Sequence, residues 1–404
     1  MAKPLLIYAN VPFCNSKCHF CDWVVQVPTA QLRLTSESPA RVRYLDAIRA
    51  QIRSHAPALN ADGYRPRIMY WGGGTASILG AAEIEKLHAG LAGEFDLAAL
   101  SEATIEGSPE SLDLDKLTLL RQLGFNRVSI GVQSFDDVRL RKIGRSHSAE
   151  QALASLDAAR AAGFRNVNID LIVGFPDQPL EEVERTIRQA VSLPVNHFSI
   201  YPYRASPGTV LRKQVNRGSA ELNVRRQLEA YRLAQRILES SGFGEYAMSY
   251  FGAPRCRSDE AYYRLQMDWI GFGSGANSLI NQRYLATNRG NLQRFNADPA
   301  QFDVNAPAAS PALTMHFLAQ ALTTAEGMDA RLFQERTGVP LRTACADPEV
   351  FAYLKKMGRY GELIVDRNGI RLRRADLAPT YVALSWIDLP SPATELVLEQ
   401  PRTG

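Results

Sequence analysis

Short apolar runs alternate with longer amphipathic stretches over the first half of this chain. Strand-like runs fall at 5–9, 68–71, 103–106, 127–130, 166–172 and 197–201, and helical periodicity at 41–53, 81–91, 114–123, 149–162, 180–191 and 222–240. Parallel strands need crossover connections, so six such βα units predict a parallel sheet covered by helices. Gly124 and Gly163 each follow an apolar-periodic stretch and precede a Phe and a new strand, the position of a helix-terminating glycine.

Past residue 241 the pattern changes. The stretches 242–246 and 271–276 are rich in glycine and aromatics and read as irregular segments over the mouth of a barrel. A Pro/Ala-rich piece, 305–311, reads as a linker. Helical patterns then follow at 312–324, 329–337 and 350–357, and a β-like run at 363–371 turns at Asn368-Gly369. The expected organisation is a core over 1–241, a covering segment over 242–304, a small α+β domain over 305–390 and a frayed tail over 391–404.

Composition narrows the class. The chain has 404 residues, with 46 Lys and Arg against 42 Asp and Glu, a formal charge of +4. That is too weak an imbalance to argue for nucleic acid. Five cysteines, three of them clustered, do not make a disulfide framework and point to a reducing compartment. With neither a secretory signal nor an apolar run of about 20 residues, the expectation is a cytoplasmic protein without a membrane partner.

The clustered cysteines, Cys14, Cys18 and Cys21, stand in a Cys-x3-Cys-x2-Cys array just after the first strand. Thiolates select zinc or iron–sulfur clusters over hard cations, and structural zinc normally takes a fourth Cys or His. No fourth ligand stands at finger-like spacing, so the simplest reading is a 4Fe-4S cluster with one iron left open. Ordinary buried thiols, or a zinc site completed by His19, Cys256 or Cys345, are the alternatives.

Further unusual residues fall at the ends of successive strands, where a β/α barrel assembles its chemistry. Gly72-Gly73-Gly74-Thr75 lets main chain approach a ligand closely, although a bare tight turn has the same composition. It lacks the spacing of a dinucleotide fingerprint. Glu106, Gln133 and Asp170 are polar intrusions at the ends of apolar strands, each of which alone reads as a hydrogen-bonded or exposed residue. Tyr201–Arg204 ends the sixth strand. Arg145 lies in a basic stretch, by default a solvated run, whose guanidinium fork suits a carboxylate.

With these motifs in hand the chain resembles the radical S-adenosylmethionine (SAM) superfamily. More narrowly it resembles the oxygen-independent coproporphyrinogen III oxidase family, which includes porphyrinogen oxidases, haem chaperones and class C radical SAM methyltransferases. The likeness spans about 5–278 and is carried by the cysteine loop, WGGGT at 71–75, SIGVQSF at 129–135 and NIDLIVGFPDQ at 168–178. It implies an α/β fold with a partial (β/α)6 radical SAM barrel and a small α+β C-terminal domain. It also implies a 4Fe-4S cluster on Cys14, Cys18 and Cys21 and two SAM molecules. Tyr8, Gly73 and Glu106 would touch the cluster-bound SAM, and Phe20, Gly74, Thr75, Gln133, Arg145 and Asp170 would surround the second, with Arg204 a further cofactor contact. An electron donor such as flavodoxin or ferredoxin is implied as a partner.

Among the branches, Trp23 stands where an oxidase would carry a further cysteine. Asp259-Glu260-Ala261-Tyr262-Tyr263 replaces the Asn-x-x-Tyr-Trp expected of a haem chaperone. Asp22-Trp23 and the stretch 106–110 resemble the class C methyltransferases. The expectation is therefore a methyltransferase that methylates or cyclopropanates an sp2 carbon of a heteroaromatic small molecule or modified peptide in a natural-product pathway. Tyr201, Tyr203, Tyr246 and Tyr250 are candidates for stacking that substrate or relaying a proton, against the plainer reading of packing residues.

Overall fold

The computed structural model describes residues 2–23, 25, 27, 38–287 and 291–373. The six expected strands form β1 (Lys3–Val11), β2 (Tyr64–Gly73), β3 (Glu102–Gly107), β4 (Arg127–Gln133), β5 (Asn166–Val173) and β6 (His197–Pro202), side by side in chain order and all parallel. Helices Pro39–Ala61, Ala81–Ala92, Leu114–Gln122, Ala149–Ala161 and Leu180–Ser192 make the crossovers, and Val224–Ser240 follows β6. Gly124 and Gly163 adopt φ of 91° and 89°, the left-handed conformation that ends a helix without a Cβ penalty.

Period-two alternation assigns the faces. Leu5, Ile7, Ala9 and Val11 of β1 are buried in the larger apolar core with helix residues such as Ile48, Ile52 and Leu87. Leu6 points to the opposite, inner face, where it joins Ile68, Trp269, Phe317 and Leu318 in a second core. The inner face near the strand ends is polar, and it carries the candidate residues.

Two expectations about the rest of the chain are corrected. The glycine- and aromatic-rich segment extends the sheet at both edges. β7 (Glu245–Ala247) and β8 (Tyr250–Gly252) pair antiparallel beyond β6, while β9 (Asp268–Phe272) lies parallel to β1 and leads to β10 (Asn277–Ile280) and β11 (Arg283–Ala286). The expected linker supplies β12 (Val304–Pro307) on β11, an edge position where a proline without an N–H is tolerated. The result is one open twelve-stranded sheet.

The C-terminal unit contains helices Pro311–Ala321, Ala330–Thr337 and Pro348–Met357. Its small antiparallel sheet consists of β13 (Met328–Asp329), β14 (Leu363–Asp366) and β15 (Gly369–Leu372). The helices and β-run at 312–324, 329–337, 350–357 and 363–371 thus take the form expected. The unit is not separately cored, because Leu313, Phe317 and Leu318 share the inner-face core with Leu6, Ile68 and Trp269. The expected tail at 391–404 and the end of the small domain, 374–390, lie outside the described residues. Among the described residues no helix is long and apolar enough to cross a membrane.

Candidate functional site

The cysteine loop leaves the carboxyl end of β1 and is tied to its surroundings through backbone bonds. His19 N donates to the Ile143 carbonyl at 2.9 Å, and Leu211 N donates to the His19 carbonyl at 3.1 Å. Cys21 N closes a turn onto the Cys18 carbonyl at 3.3 Å. All three thiols are partly exposed. Two receive polar donors: Thr75 Oγ1 lies 3.5 Å from Cys14 Sγ, and Arg145 Nη1 lies 3.5 Å from Cys18 Sγ.

Burial pushes the Cys14 thiol up to about 11, and its fellow cysteines add to the shift, while Thr75 and Arg145 oppose it. Burial likewise raises Cys21. Such thiols stay protonated until a metal centre displaces the protons and supplies the positive charge. Three thiolate donors in one loop, with a hydroxyl and a guanidinium already turned toward sulfur, fit an iron–sulfur cluster. The proposed zinc partners are engaged elsewhere. His19 Nδ1 faces the Lys142 carbonyl at 2.9 Å, Cys256 bonds Ser258 at the amino end of the strands, and Cys345 follows helix Leu341–Ala344 in the C-terminal unit.

The three glycines stand beside this loop because side chains would not fit there. A Cβ on Gly74 would come 2.6 Å from the Phe13 carbonyl and 3.0 Å from Cys14 Sγ, and one on Gly72 would come 2.8 Å from Glu106 Oε2. Gly73, at φ 111°, aims its N–H at Glu106 Oε2 across 3.2 Å. Glu106 also accepts from Tyr70 Oη at 2.5 Å. Burial raises its carboxyl to about 7. A cationic amine arriving there would meet the Glu106 carboxylate, itself held by the Gly73 N–H and the Tyr70 hydroxyl. Tyr8 stands one strand away, its hydroxyl 3.3 Å from Asn10 Oδ1 and its ring stacked on Tyr70 at 6.0 Å.

The other expected contacts divide into two sets. Gly74, Thr75 and Arg145 are gathered at the cysteine sulfurs. Arg145 is further fixed by Gly131 O at 2.7 Å and His147 at 3.3 Å. Asp170 and Gln133 lie along the inner face. Asp170, raised by burial, accepts from Asn168 at 2.8 Å and faces Ser129. Gln133 holds φ 68°, an uncommon conformation for a residue with a side chain, and its buried Oε1 has no hydrogen-bond partner.

Sequence reading missed a second polar cluster at the amino ends of the strands. Glu102 accepts from the backbone N–H groups of Arg257 at 3.0 Å and Ser258 at 3.2 Å, and so caps helix Arg257–Tyr263 from a distant strand. Arg127 is 2% exposed and its Nη2 lies 3.4 Å from His197 Nδ1. Burial works against its charge, but Cys256, Glu102 and Asp259 outweigh that and keep the guanidinium ionised. His197 also bonds Asn168 at 2.6 Å and Tyr246 at 2.7 Å. Local signals could not show this, since the partners come from β3, β4, β6 and a helix more than fifty residues on.

Beside the cysteine loop lies a cavity of about 530 Å³. Phe20, Cys21 and Trp23 form one wall and Tyr201, Tyr203 and Arg204 another, while His316 and Gln320 close it from helix Pro311–Ala321. Tyr250 and Tyr263 complete it, with Tyr250 Oη 3.3 Å from Tyr201 Oη and 3.1 Å from Tyr263 Oη. Burial raises the Tyr201 and Tyr250 hydroxyls well above the ordinary range, so both remain donors. Tyr203 packs its ring on Phe175.

The radical SAM superfamily profile matches residues 11–190. The chain is similar to the haem chaperone HemW of Lactococcus lactis, 30% identical over 282 residues that cover 69% of this chain and 71% of that protein. It is similar to HemW of Mycobacterium tuberculosis (H37Rv), 34% identical over 281 residues covering 69% and 70%. The oxygen-independent coproporphyrinogen III oxidase of Salmonella typhimurium is 31% identical over 307 residues, covering 72% and 65%. Among solved structures, coproporphyrinogen III oxidase (HemN) from Escherichia coli superposes with a TM-score of 0.75 at 25% identity, covering 95% of this chain and 90% of that one. These relatives overturn the expected methyltransferase assignment and its natural-product setting. The stretches at Asp22-Trp23 and 106–110 on which it rested are short beside alignments spanning more than two thirds of the chain.

Proposed function

We propose that this chain, which belongs to the radical SAM superfamily and within it to the family of haem chaperones and oxygen-independent coproporphyrinogen III oxidases, is a cluster-bearing SAM protein that binds haem beside its cysteine loop. The observation that carries this reading is the aromatic-walled cavity of about 530 Å³ bordered by Cys21 on one side and His316 on the other. A planar tetrapyrrole finds aromatic faces in Phe20, Trp23 and Tyr201, and an imidazole for its iron in His316. The charged lining favours haem over coproporphyrinogen. With His316 given to the iron, Arg204 and Asp22 are the charged side chains of this lining, so it offers no set of cations for the four carboxylates of coproporphyrinogen.

Family membership implies a 4Fe-4S cluster and SAM, and Cys14, Cys18 and Cys21 would hold the cluster. When bound and reduced, the cluster supplies the electron that cleaves SAM. Glu106 would hold the amino end of that SAM, its carboxylate steadied by the Gly73 N–H and Tyr70, with Tyr8 alongside, and the absence of side chains at Gly72–Gly74 lets this turn pack directly on Glu106 and Phe13. The support for a second SAM is the inner face of β3 and β5, where Glu106 and Asp170 present carboxyl groups. Gln133 and Asp170 are its candidate contacts.

Titration of the anaerobically reconstituted protein with haem, followed by the Soret band, tests the reading. Saturation at one haem per chain, with a shifted band and weaker binding in His316→Ala, is the expected result. Failure to bind haem, together with conversion of coproporphyrinogen III and release of carbon dioxide, would replace it with the oxidase reading.

A further inference from the structure

Two basic segments, far apart in sequence, meet over the outside of the cysteine loop. Residues 138–149 carry four cations and no carboxylate, and residues 202–220 carry four more and none. The first packs on the loop through Ile143 O and Lys142 O, both facing His19, and the second through Leu211 N on the His19 carbonyl. Lys17, Arg141, Lys142, Lys213 and Arg217 are exposed. None of the five has an ion pair within 4.0 Å among the described residues, whereas exposed Arg188, Arg225, Arg331 and Arg371 elsewhere are paired with Glu184, Glu229, Glu335 and Asp366.

The flanking carboxylates Asp136, Asp137, Glu150 and Glu221 keep their charge but are outnumbered, since residues 136–150 and 202–221 together carry eight Lys and Arg against those four. Asp136 accepts from Arg139 N and Asp137 from Ala149 N, each at 2.8 Å. Arg139 itself is buried against Glu182 at 2.9 Å. Two exposed apolar residues, Val138 at 61% and Val210 at 42%, sit on the same two segments. A basic face with apolar points, on a chain with a formal charge of only +4, is a localised feature.

The geometry points to this face as the docking site of a small acidic one-electron carrier protein that reduces the cluster. The inference rests on the cluster assignment above. One electron leaves the carrier, which is oxidised, and enters the cluster, which is reduced; no proton or bond is exchanged. The face lies directly outside His19, one of the two residues between Cys18 and Cys21, so a carrier seated there reaches the loop through two backbone hydrogen bonds. Charge complementarity of this kind acts mainly on encounter and weakens with salt.

The test uses the reconstituted full chain and two probes, reduced bacterial flavodoxin and reduced ferredoxin, with loss of cluster absorbance followed by stopped flow. Arg141→Glu combined with Lys142→Glu, and Lys213→Glu combined with Arg217→Glu, should each slow reduction by a carrier about tenfold or more at low salt and flatten its salt dependence. Reduction by dithionite should stay within about twofold of the parent, which shows that the cluster and fold are intact. Arg331→Glu, on helix Ala330–Thr337 of the C-terminal unit and already paired with Glu335, should behave as the parent. Unchanged carrier rates in both reversed variants would overturn the proposal. So would a parent that dithionite reduces but neither carrier does, and that outcome would leave the haem reading standing. Absence of a reducible cluster would overturn both.

Discussion

Cysteine, arginine and carboxylate occur together at both ends of the parallel strands, and the two ends use them differently. At the carboxyl edge Cys14, Cys18 and Cys21 are partly exposed, Arg145 reaches a sulfur, and glycines let the turn pack directly against Glu106 and Cys14. At the amino end Cys256 is fully buried, Arg127 is enclosed, and Glu102 is spent on backbone N–H groups. One end leaves donors turned toward an open space; the other consumes them in holding a helix. Residue type alone does not distinguish a site from a staple, but exposure and the direction of the hydrogen bonds do.

The largest effect that would break this comparison is on metal content. Cys18→Ala should bring iron and sulfide to background after reconstitution, while Cys256→Ala should retain both; equal loss in the two would erase the distinction. Next comes stability. Glu102→Gln removes acceptor capacity from Arg257 and Ser258 and should cost about 2 kcal/mol in chemical denaturation, with iron loading unchanged. A variant that loses iron at undiminished stability would place Glu102 in the site instead.

A third effect concerns pH. The Glu106 carboxyl sits at about 7 rather than its ordinary 4.5, so folding takes up a proton between those values and the SAM-free protein loses stability as pH rises through that window. If the ionised carboxylate holds the amino group of SAM, affinity should rise about tenfold from pH 6 to pH 8 and level off above. Glu106→Gln should abolish that slope, as isothermal titration would show. The smallest effect belongs to a glycine outside both clusters. Gly163→Ala, forced to φ 89°, should cost about 1 kcal/mol and leave iron content unaltered.

The sequence exposed the local half of this molecule. The parallel strands begin and end within a few residues of their apolar runs because each run is bounded by helix caps and glycines. The cysteine array and the glycine run were legible because one loop and one turn contain them. What was hidden depends on distant partners. β9 lies parallel to β1 across more than 250 residues, and the short strands from 245 to 307 carry glycines and Pro307 that locally resemble loops. The cavity needs helix Pro311–Ala321 to be packed on the inner face, so neither His316 nor the tyrosine cluster could be assembled from spacing. The branch of the family is not legible in the short stretches Asp22-Trp23 and 106–110, which weigh little against the length of chain shared with haem-related proteins.

The central claim is that three cysteines at a strand end hold a cluster with an iron open to SAM. Electron paramagnetic resonance of the reconstituted, reduced protein, recorded with and without SAM, tests it most directly. A 4Fe-4S signal whose g values shift when SAM is added is the predicted result. A cluster signal indifferent to SAM, or no cluster signal in protein that is folded and iron-loaded, would contradict it.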